Sequence, residues 1–161
     1  MSPAYSPAPA FTVRPYRPAD AEALARLFYK TVHAVCARDY TPAQLEAWAP
    51  RPPDTAVWDA SLRRRVAFVA EAGDRPVGFG DIDGTGYLDR LYVRHDWQRR
   101  GVGTALCARL EAAVWPATVR THASLTARPF FAARGYRLVR AQQVERRGIW
   151  LTNFVMSLLQ A

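Results

Sequence analysis

The sequence predicts a single-domain α/β (α+β) fold, and three observations support this prediction. The chain has 161 residues, half of them apolar, which suffices for one hydrophobic core. A strand pattern over residues 87–93 leads through a short turn into an amphipathic helix pattern over residues 102–114. Two pairs of strand patterns, one before and one after this unit, are each joined by a tight turn, which predicts two hairpins.

The first third of the chain predicts one strand and three helices. Phe11–Tyr16 has the composition of a short strand, and Asp20 is the expected N-cap of a long helix. An apolar stripe along that helix consists of Leu24, Leu27, Phe28, Val32 and Val35. Thr41-Pro42-Ala43-Gln44 forms a capping box with proline at the first helical position, and Asp54 opens a third helix after a proline-rich break.

The middle of the chain predicts a three-stranded meander. Strands over residues 66–70 and 76–82 flank a turn at Gly73-Asp74, and Tyr87–Val93 forms the third strand. Strict alternation would put Tyr87, Asp89, Leu91 and Val93 on one face of that strand. On this basis Asp89 should share a face with Leu91 and Val93.

The turn that follows this strand has the features of an anion-binding site. Gln98-Arg99-Arg100-Gly101-Val102-Gly103 precedes a core-facing helix that Pro116 terminates. Gly101 and Gly103 permit unusual dihedral angles and close approach of a ligand. The first N–H groups of a helix have no partners within it and favour a phosphate. Two glycines before a helix also occur in ordinary tight turns, so this pattern alone is not specific.

The last third of the chain predicts a strand, a short helix and a hairpin. The strand covers residues 117–124, and the helix has Pro129 in its first turn and ends at Gly135. Strands over residues 138–146 and 149–158 flank a turn at Arg147-Gly148.

Composition and charge narrow the possible functions. No apolar run approaches the roughly 20 residues of a membrane span, and residues 1–10 form a predicted disordered tail without secretory features. Cys36 and Cys107 make no disulfide framework, which favours a cytoplasmic location. The net charge is +8, but the arginines are spread along the chain, so nucleic-acid binding is disfavoured. An anionic ligand accounts for part of this charge.

Two motifs together resemble those of the GCN5-related N-acetyltransferase (GNAT) superfamily. Gln98-x-x-Gly101-x-Gly103 after a strand is similar to its motif A, and the segment from Ser124 to Tyr136 is similar to its motif B. Segments 40–49 and 144–156 look like those of a bacterial subgroup of small, single-domain N-acetyltransferases. The resemblance covers residues 11–158 and implies a mixed, mostly antiparallel sheet of six to seven strands with four to five helices. In motif B, Ser124 replaces an asparagine and Phe131 replaces a tyrosine.

The resemblance implies an acetyl-CoA-dependent transfer of an acetyl group to an amine by direct attack on the thioester. It implies that acetyl-CoA binds along the motif A strand and turn and at motif B. These positions are Leu91, Tyr92, Val93, Gln98, Arg99, Arg100, Gly101, Val102, Gly103, Thr104, Ser124, Phe130 and Phe131. No metal is implied, because the three histidines are isolated and no Cys-x-x-Cys occurs.

Catalysis requires a base for the amine and favours an acid for the departing thiolate. Asp89 is the first candidate base, Tyr87 stands where many relatives carry glutamate, and Asp81 and Asp83 are further candidates. A surface ion pair is an equally good explanation of Asp89. Phe131 cannot donate a proton, so Ser124, Tyr136 or Tyr92 would have to replace the family's acid, unless no acid is used. A His122–Ser124 nucleophilic pair is disfavoured.

The helical segment of residues 29–62 is the expected wall of the acceptor site. His33, Tyr40, Trp48 and Trp58 are its candidate substrate-binding residues, although core packing explains both tryptophans as well. Aromatic walls favour a small amine over a protein lysine. A non-catalytic acyl-CoA binding or sensing module is the alternative function, because the motif tyrosine is missing. The protein is expected to be a monomer or a homodimer.

Overall fold

Within residues 10–161, the part of the chain that the computed structural model describes, seven strands form one mixed sheet. They are β1 (Thr12–Pro15), β2 (Val66–Ala72), β3 (Arg75–Ile82), β4 (Tyr87–Val93), β5 (Val119–Ser124), β6 (Arg137–Arg146) and β7 (Ile149–Leu158). Their order across the sheet is β1-β2-β3-β4-β5-β7-β6. Neighbouring strands are antiparallel, except for the parallel pair β4 and β5. The predicted tail of residues 1–10 lies, apart from Ala10, outside the described residues.

Five α-helices in the same range cover both faces of the sheet. They are α1 (Ala21–Val35), α2 (Pro42–Trp48), α3 (Thr55–Arg63), α4 (Val102–Val114) and α5 (Arg128–Ala133). Helices α1, α2 and α3 pack into one hydrophobic core, and α4 and α5 pack into the cores on the opposite face. The predicted α/β (α+β) fold is therefore confirmed.

None of the helices in residues 10–161 has the length and apolar character needed to cross a bilayer. The cytoplasmic location and the monomeric or homodimeric state stay predictions.

Local capping explains where the helices on the first face begin. Thr41 Oγ1 accepts from the Gln44 amide and Gln44 Oε1 accepts from the Thr41 amide, so the predicted capping box is present. Asp54 Oδ1 caps α3 by accepting from the Val57 amide at 2.9 Å. The predicted capping role of Asp20 is wrong in detail, because its carboxylate instead binds the Arg14 side chain and the Arg17 amide.

A β-bulge in β4 changes which residues share a face. Arg90 pairs with Asp81 but Leu88 pairs with Ile82, so Asp89 is an extra residue between two successive pairs. Leu88 and Leu91 consequently pack on the same side, against α4, although strict alternation separates them. The prediction that Asp89 shares a face with Leu91 and Val93 is therefore wrong: the bulge turns its side chain to Arg65.

The parallel strands β4 and β5 separate soon after they meet. In the described chain they pair only at Tyr87–Arg120 and Leu88–Thr121, and the Thr121 hydroxyl donates to the Leu88 carbonyl at 2.9 Å. Beyond Leu88, β4 continues along β3 while β5 continues along β7. A gap therefore opens in the middle of the sheet.

Within the described chain, the edge of β4 that faces this gap has no neighbouring strand beyond Leu88. The Arg94 amide donates to the Val77 carbonyl and the Arg90 amide donates to Asp81, so both point towards β3. Because amide directions alternate along a strand, the amides of Leu91 and Val93 point into the gap. A ligand in the gap can therefore bind β4 as a neighbouring strand would.

Candidate active site

A large cavity of about 390 Å³ occupies the gap between β4 and β5. Its walls include the end of β4, the turn before α4, the end of β5 and the start of α5, with α1 on the other side. The predicted cofactor-binding residues found in its lining are Leu91, Tyr92, Val93, Gln98, Arg99, Gly101, Val102, Gly103, Thr104, Ser124, Phe130 and Phe131. Residues far apart in the sequence, from motif A and from motif B, are thus brought together.

The turn before α4 presents backbone amides to this cavity. Arg99 and Gly101 both have left-handed backbone conformations, with φ values of 60° and 82°. The Ala105 amide makes the first bond of the helix, to the Gly101 carbonyl, which leaves the amides of residues 102–104 without partners within the helix. This arrangement suits an anionic group.

A side-chain hydrogen bond and a close helix contact shape this turn. Gln98 Nε2 donates to the Val93 carbonyl at 2.6 Å, so the Gln98 side chain fastens the turn to the end of β4. A Cβ atom on Gly103 would lie 3.2 Å from Phe130 Cε2 of α5, so glycine allows the two helices to approach closely. Gln98 and Gly103 therefore shape the cavity wall in addition to lining it.

A smaller cavity of about 180 Å³ adjoins the large one. Its lining combines aromatic, apolar and polar residues: Tyr40, Trp48, Tyr87, Asp89, Tyr92, His122, Ser124, Val144, Arg146, Leu151, Thr152 and Asn153. Among the described residues, five line both cavities, namely Trp48, Asp89, Tyr92, His122 and Ser124. We call these five residues the junction.

The charged groups of the junction are partly neutralised. Asp89 Oδ2 lies 2.8 Å from Arg65 Nη1, which is the ion pair considered as an alternative for Asp89. The His122 ring packs against the Tyr87 ring, with centroids 5.1 Å apart. His122 is exposed, and partial desolvation, followed by the charges of Arg120 and Arg140, lowers its pKa, while Asp89 opposes this shift. Burial raises the pKa of Tyr87.

Two residues of the junction, Tyr92 and Ser124, carry hydroxyl groups. Ser124 Oγ accepts from the Ala127 amide at 3.0 Å and so supports the turn that enters α5. It makes no hydrogen bond with His122 among the described residues, which gives no support to a nucleophilic pair. Tyr92 packs edge-on against Phe28, and burial raises its pKa, so its hydroxyl stays protonated. Phe131 is only 2% exposed and packs between Phe130 and Tyr136.

The prediction of Tyr136 as a catalytic acid is corrected by its surroundings. The Tyr136 hydroxyl donates to Glu111 Oε2 of α4 at 2.8 Å, and the same carboxylate binds Arg134. Tyr136 is buried and lines neither cavity. Tyr136 directly precedes β6, and its ring packs against Phe131 in the core.

Three further assignments are corrected in the same way. His33 Nε2 lies 2.7 Å from the Ala49 carbonyl oxygen and ties α1 to the end of α2. Trp58 packs against Phe28 and Phe79 in the core. The Arg100 guanidinium lies over the Trp97 ring, with its carbon 4.8 Å from the centroid. None of these three side chains lines either cavity.

Tyr40 and Trp48 lie where the acceptor wall was predicted, but Tyr40 also has a structural role. Its hydroxyl donates to the Thr152 carbonyl at 2.7 Å and accepts from the Leu125 amide at 2.9 Å. Its ring packs edge-on against Trp48, with centroids 5.4 Å apart. Tyr40 therefore connects β7, the loop after β5 and α2 around the small cavity.

The two additional carboxylates considered as bases have structural partners instead. Asp81 is fully buried and forms an ion pair with Arg90, and burial raises its pKa against the influence of that guanidinium. Asp83 Oδ1 accepts from Thr85 and from the Tyr87 amide in the turn before β4. Neither residue lines a cavity.

Sequence reasoning missed His122 and Asn153 as cavity residues. The alternation over 119–124 indicates only that His122 and Ser124 share a face, and nothing local indicates that this face turns to a cavity. Asn153 lies in β7 and pairs with Ser124 of β5, which is 29 residues earlier in the chain. Within residues 10–161 no cluster of three or more His, Cys, Asp or Glu side chains is suited to hold a metal ion.

A parallel strand pair that separates, with an amide-rich turn at the start of the next helix, is the arrangement that the resemblance to the GNAT superfamily implies. The family model described as "Acetyltransferase (GNAT) domain" matches residues 36–158. A protein named "Uncharacterized N-acetyltransferase YafP", from Escherichia coli (strain K12), is 38% identical over 145 residues, which are 89% of this chain and 93% of that protein. The chain belongs to the GNAT family and is an acetyl-CoA-dependent N-acetyltransferase.

Solved structures agree with this assignment. The crystal structure of a GCN5-related N-acetyltransferase from Rhodopseudomonas palustris is similar with a TM-score of 0.87 and 35% identity, covering 92% of this chain and 94% of that one. The paiA N-acetyltransferase from Thermoplasma acidophilum, solved in complex with coenzyme A, has the same fold with a TM-score of 0.75. It is 16% identical and covers 93% of this chain and 99% of that one.

Proposed function

We propose that this protein transfers the acetyl group of acetyl-CoA to a small amine by direct attack of the amine on the thioester. The observation that carries the proposal is the meeting of two cavities where β4 separates from β5. The large cavity suits a long cosubstrate with an anionic end, and the small cavity suits its acceptor. The acetyl group then belongs at the junction.

The residues of the large cavity fit acetyl-CoA. This cosubstrate supplies an activated acetyl thioester on a long amide-containing arm that begins at a pyrophosphate. The Leu91 and Val93 amides face the gap and can donate to the arm, or to the thioester carbonyl where negative charge develops. The amides of residues 102–104 and the Arg99 side chain suit the pyrophosphate.

Asp89 and His122 have different roles towards the amine: Asp89 attracts it and His122 accepts its proton. An alkyl amine arrives as an ammonium ion, because its pKa is near 10. Asp89, already bound to Arg65, attracts this ion to the junction. His122 is neutral near pH 7, because partial desolvation and the neighbouring arginines lower its pKa, so its imidazole can accept a proton from the amine.

Tyr92 and Ser124 are the candidate donors for the departing thiolate. Both line the junction, and the raised pKa of Tyr92 keeps its hydroxyl protonated. Ser124 Oγ accepts from the Ala127 amide, which leaves its own proton free to donate. Either hydroxyl can take the role of the motif tyrosine, whose position is occupied here by Phe131.

The surroundings of Cys36 support direct attack rather than a covalent enzyme intermediate. Cys36 lines the large cavity, but burial raises the pKa of its thiol to about 11. A thiol with that pKa is almost entirely protonated near neutral pH and is a poor nucleophile.

The size and walls of the small cavity support a small acceptor. A volume of about 180 Å³ between Tyr40, Trp48 and Leu151 suits an amine with an apolar or aromatic body. Asp89 is the carboxylate in its lining, whereas docking of a basic protein tail would need several acidic residues along an open groove.

Steady-state release of coenzyme A in the presence of a panel of primary arylalkylamines tests this function. We expect turnover that depends on both acetyl-CoA and the amine, with one acetylated amine formed for each thiol released. Saturable binding of acetyl-CoA without turnover on any amine would instead support the non-catalytic acyl-CoA binding module. Absence of both would contradict the proposal.

A further inference from the structure

Arg146 brings to the lining of the small cavity a positive charge that no acidic side chain of the described residues balances. Asp89, the carboxylate in the same lining, is paired with Arg65 at 2.8 Å. Within residues 10–161 Arg146 forms no ion pair, and its Nη1 donates to the Glu145 carbonyl at 3.1 Å. A guanidinium has five N–H donors, so most of its capacity remains for a ligand.

Strand alternation puts Arg146 on the face of the sheet that borders the small cavity. Arg146 and Val144 are two residues apart in β6, and both line this cavity. Val144 pairs with Leu151 of β7, which lines it as well. Arg146 is exposed, so a ligand in the cavity can reach it.

The same face carries further positive charge towards the junction. Cross-strand partners share a face of a sheet, and Arg120 and Arg140 both have partners in β7 on the cavity face. Neither forms an ion pair in the part of the chain that the structure describes. No Asp or Glu lies on this face of β5, β6 or β7, because Glu145 alternates to the opposite face. The surroundings of the small cavity are therefore basic.

A basic cavity is unfavourable for an ammonium ion unless the acceptor brings a negative charge of its own. Like charges repel, and the field of several arginines extends beyond their individual contacts. An acidic group on the acceptor reverses this effect. A guanidinium can bind a carboxylate or a phosphate through two parallel hydrogen bonds, so arginine suits such a group well.

We propose that Arg146 binds an acidic group, a carboxylate or a phosphate, at the end of the acceptor distal to its amine. The inference rests on the proposed function and names a second functional group of the same acceptor. Ser124 at the junction pairs with Asn153, whereas Arg146 pairs with Ile149, four residues away in β7. That separation is about 13 Å along the strand, and the arginine side chain spans part of it. The acidic group therefore belongs at the opposite end of the acceptor from the reacting nitrogen.

The experiment compares kcat/KM for para-(aminomethyl)benzoate with that for para-(aminomethyl)benzamide, which is similar in size but uncharged. In the wild-type protein we expect the acid to be preferred about tenfold or more. Arg146→Gln should reduce this preference to about twofold or less, whereas Arg146→Lys keeps the charge and should keep part of the preference. The corresponding phosphonate identifies the acid: a kcat/KM above that of the benzoate indicates a phosphate site, and one below it a carboxylate site.

Arg137→Gln is the matched control, because it removes the same charge from an exposed position of the same strand that lines neither cavity. It should leave the preference for the acid within about twofold of the wild-type value. An equal loss of preference in Arg137→Gln and Arg146→Gln would assign the effect to the field of the whole face and overturn the role of Arg146.

Binding of a non-reacting acid separates this inference from the proposed function. The acid para-methylbenzoate lacks the amine, so its Kd in the presence of coenzyme A can be measured without turnover. We expect Arg146→Gln to weaken this binding about tenfold and Arg137→Gln to leave it unchanged. Equal Kd values for the wild type and Arg146→Gln, or no preference of the wild type for the acid, overturn this inference alone. Absence of turnover with every amine overturns the proposed function and, with it, the assignment of the acid as an acceptor.

Discussion

The ring at position 131 carries no hydroxyl, so the proposed proton donor has to come from another side chain at the junction. Tyr92 is the stronger candidate, because its hydroxyl stays protonated and the residue lines both cavities. We expect Tyr92→Phe to lower kcat by about 10²-fold, at the lower end of the effect of a general acid, since a thiolate leaves readily. The KM for acetyl-CoA should change little. Steady-state kinetics checks this.

Tyr16→Phe is a suitable control, because the Tyr16 hydroxyl donates to Asp59 and lines neither cavity. Ser124→Ala tests the second candidate in parallel. If kcat is unchanged in both Tyr92→Phe and Ser124→Ala, no side-chain acid is used.

The pH dependence of the reaction should report His122. A histidine with a lowered pKa is protonated only at pH values below its ordinary range near 6.5, so the base is lost as the pH falls through that lowered pKa. We therefore expect kcat/KM to decline on the acidic side below about pH 6.5. His122→Gln should lower kcat/KM about 10²-fold and remove this acidic decline.

His33→Gln provides the comparison for this pH profile. His33 contacts the Ala49 carbonyl oxygen and lines neither cavity, so its replacement should keep the acidic decline. Persistence of the decline in His122→Gln would transfer the role of base to Asp89.

At the scale of one element, the turn before α4 depends on glycine at position 101. Gly101 and Gly148 have nearly equal φ values of 82° and 79°, and an added Cβ would meet no atom within 4 Å at either site. Alanine at either position should therefore lower the free energy of unfolding by about 1–2 kcal/mol through backbone strain alone. Thermal or denaturant unfolding measures this effect.

The two substitutions should differ in their effect on acetyl-CoA. Gly101→Ala re-orients the amides at the start of α4, so we expect the Kd for acetyl-CoA to rise about tenfold. Gly148→Ala, in the distant β6–β7 turn, should leave the Kd unchanged. Calorimetry that finds equal Kd values for the two variants would rule out a role of this turn in binding.

Elements with strong local patterns were predictable, and departures from regular geometry were not. The bounds of β4 and α4 follow from alternation, from four-residue spacing and from the terminating proline, and the structure confirms both. The bulge at Asp89 leaves no mark in the local sequence, because it depends on pairing with β3. It accounts for the wrong face assigned to Asp89.

At the scale of the whole molecule, two tryptophans of similar sequence context have different surroundings. Trp58 packs in the core, whereas Trp48 borders both cavities. Trp58→Ala should therefore lower the free energy of unfolding by about 3 kcal/mol and leave the acceptor KM unchanged. Trp48→Ala should raise the acceptor KM about threefold to tenfold.

Unfolding experiments and acceptor kinetics on both variants distinguish the two roles. A rise in acceptor KM in Trp58→Ala, with Trp48→Ala unaffected, would contradict this assignment of the walls.

Long-range contacts explain why the candidate site was only partly predictable. The motifs identify the strand, the turn and α5 as cofactor-binding, and the structure brings nearly all of these residues to one cavity. Tyr136 and His33 carry groups that could serve in the site, but each is bound elsewhere. Tyr136 bonds to Glu111, 25 residues away, and His33 contacts the Ala49 carbonyl, 16 residues away. Asn153 enters the site through strand pairing that no local pattern reveals.

The separation of β4 from β5 also determines how the protein should respond to its own cosubstrate. Only two residue pairs in the described chain connect the β1–β4 and β5–β7 halves of the sheet directly. A molecule bound in the gap touches both halves and takes the place of a missing strand. Acetyl-CoA should therefore slow hydrogen–deuterium exchange at the Leu91 and Val93 amides and make the melting temperature rise with its concentration. Binding of the cosubstrate and unfolding of the sheet are therefore expected to be thermodynamically linked.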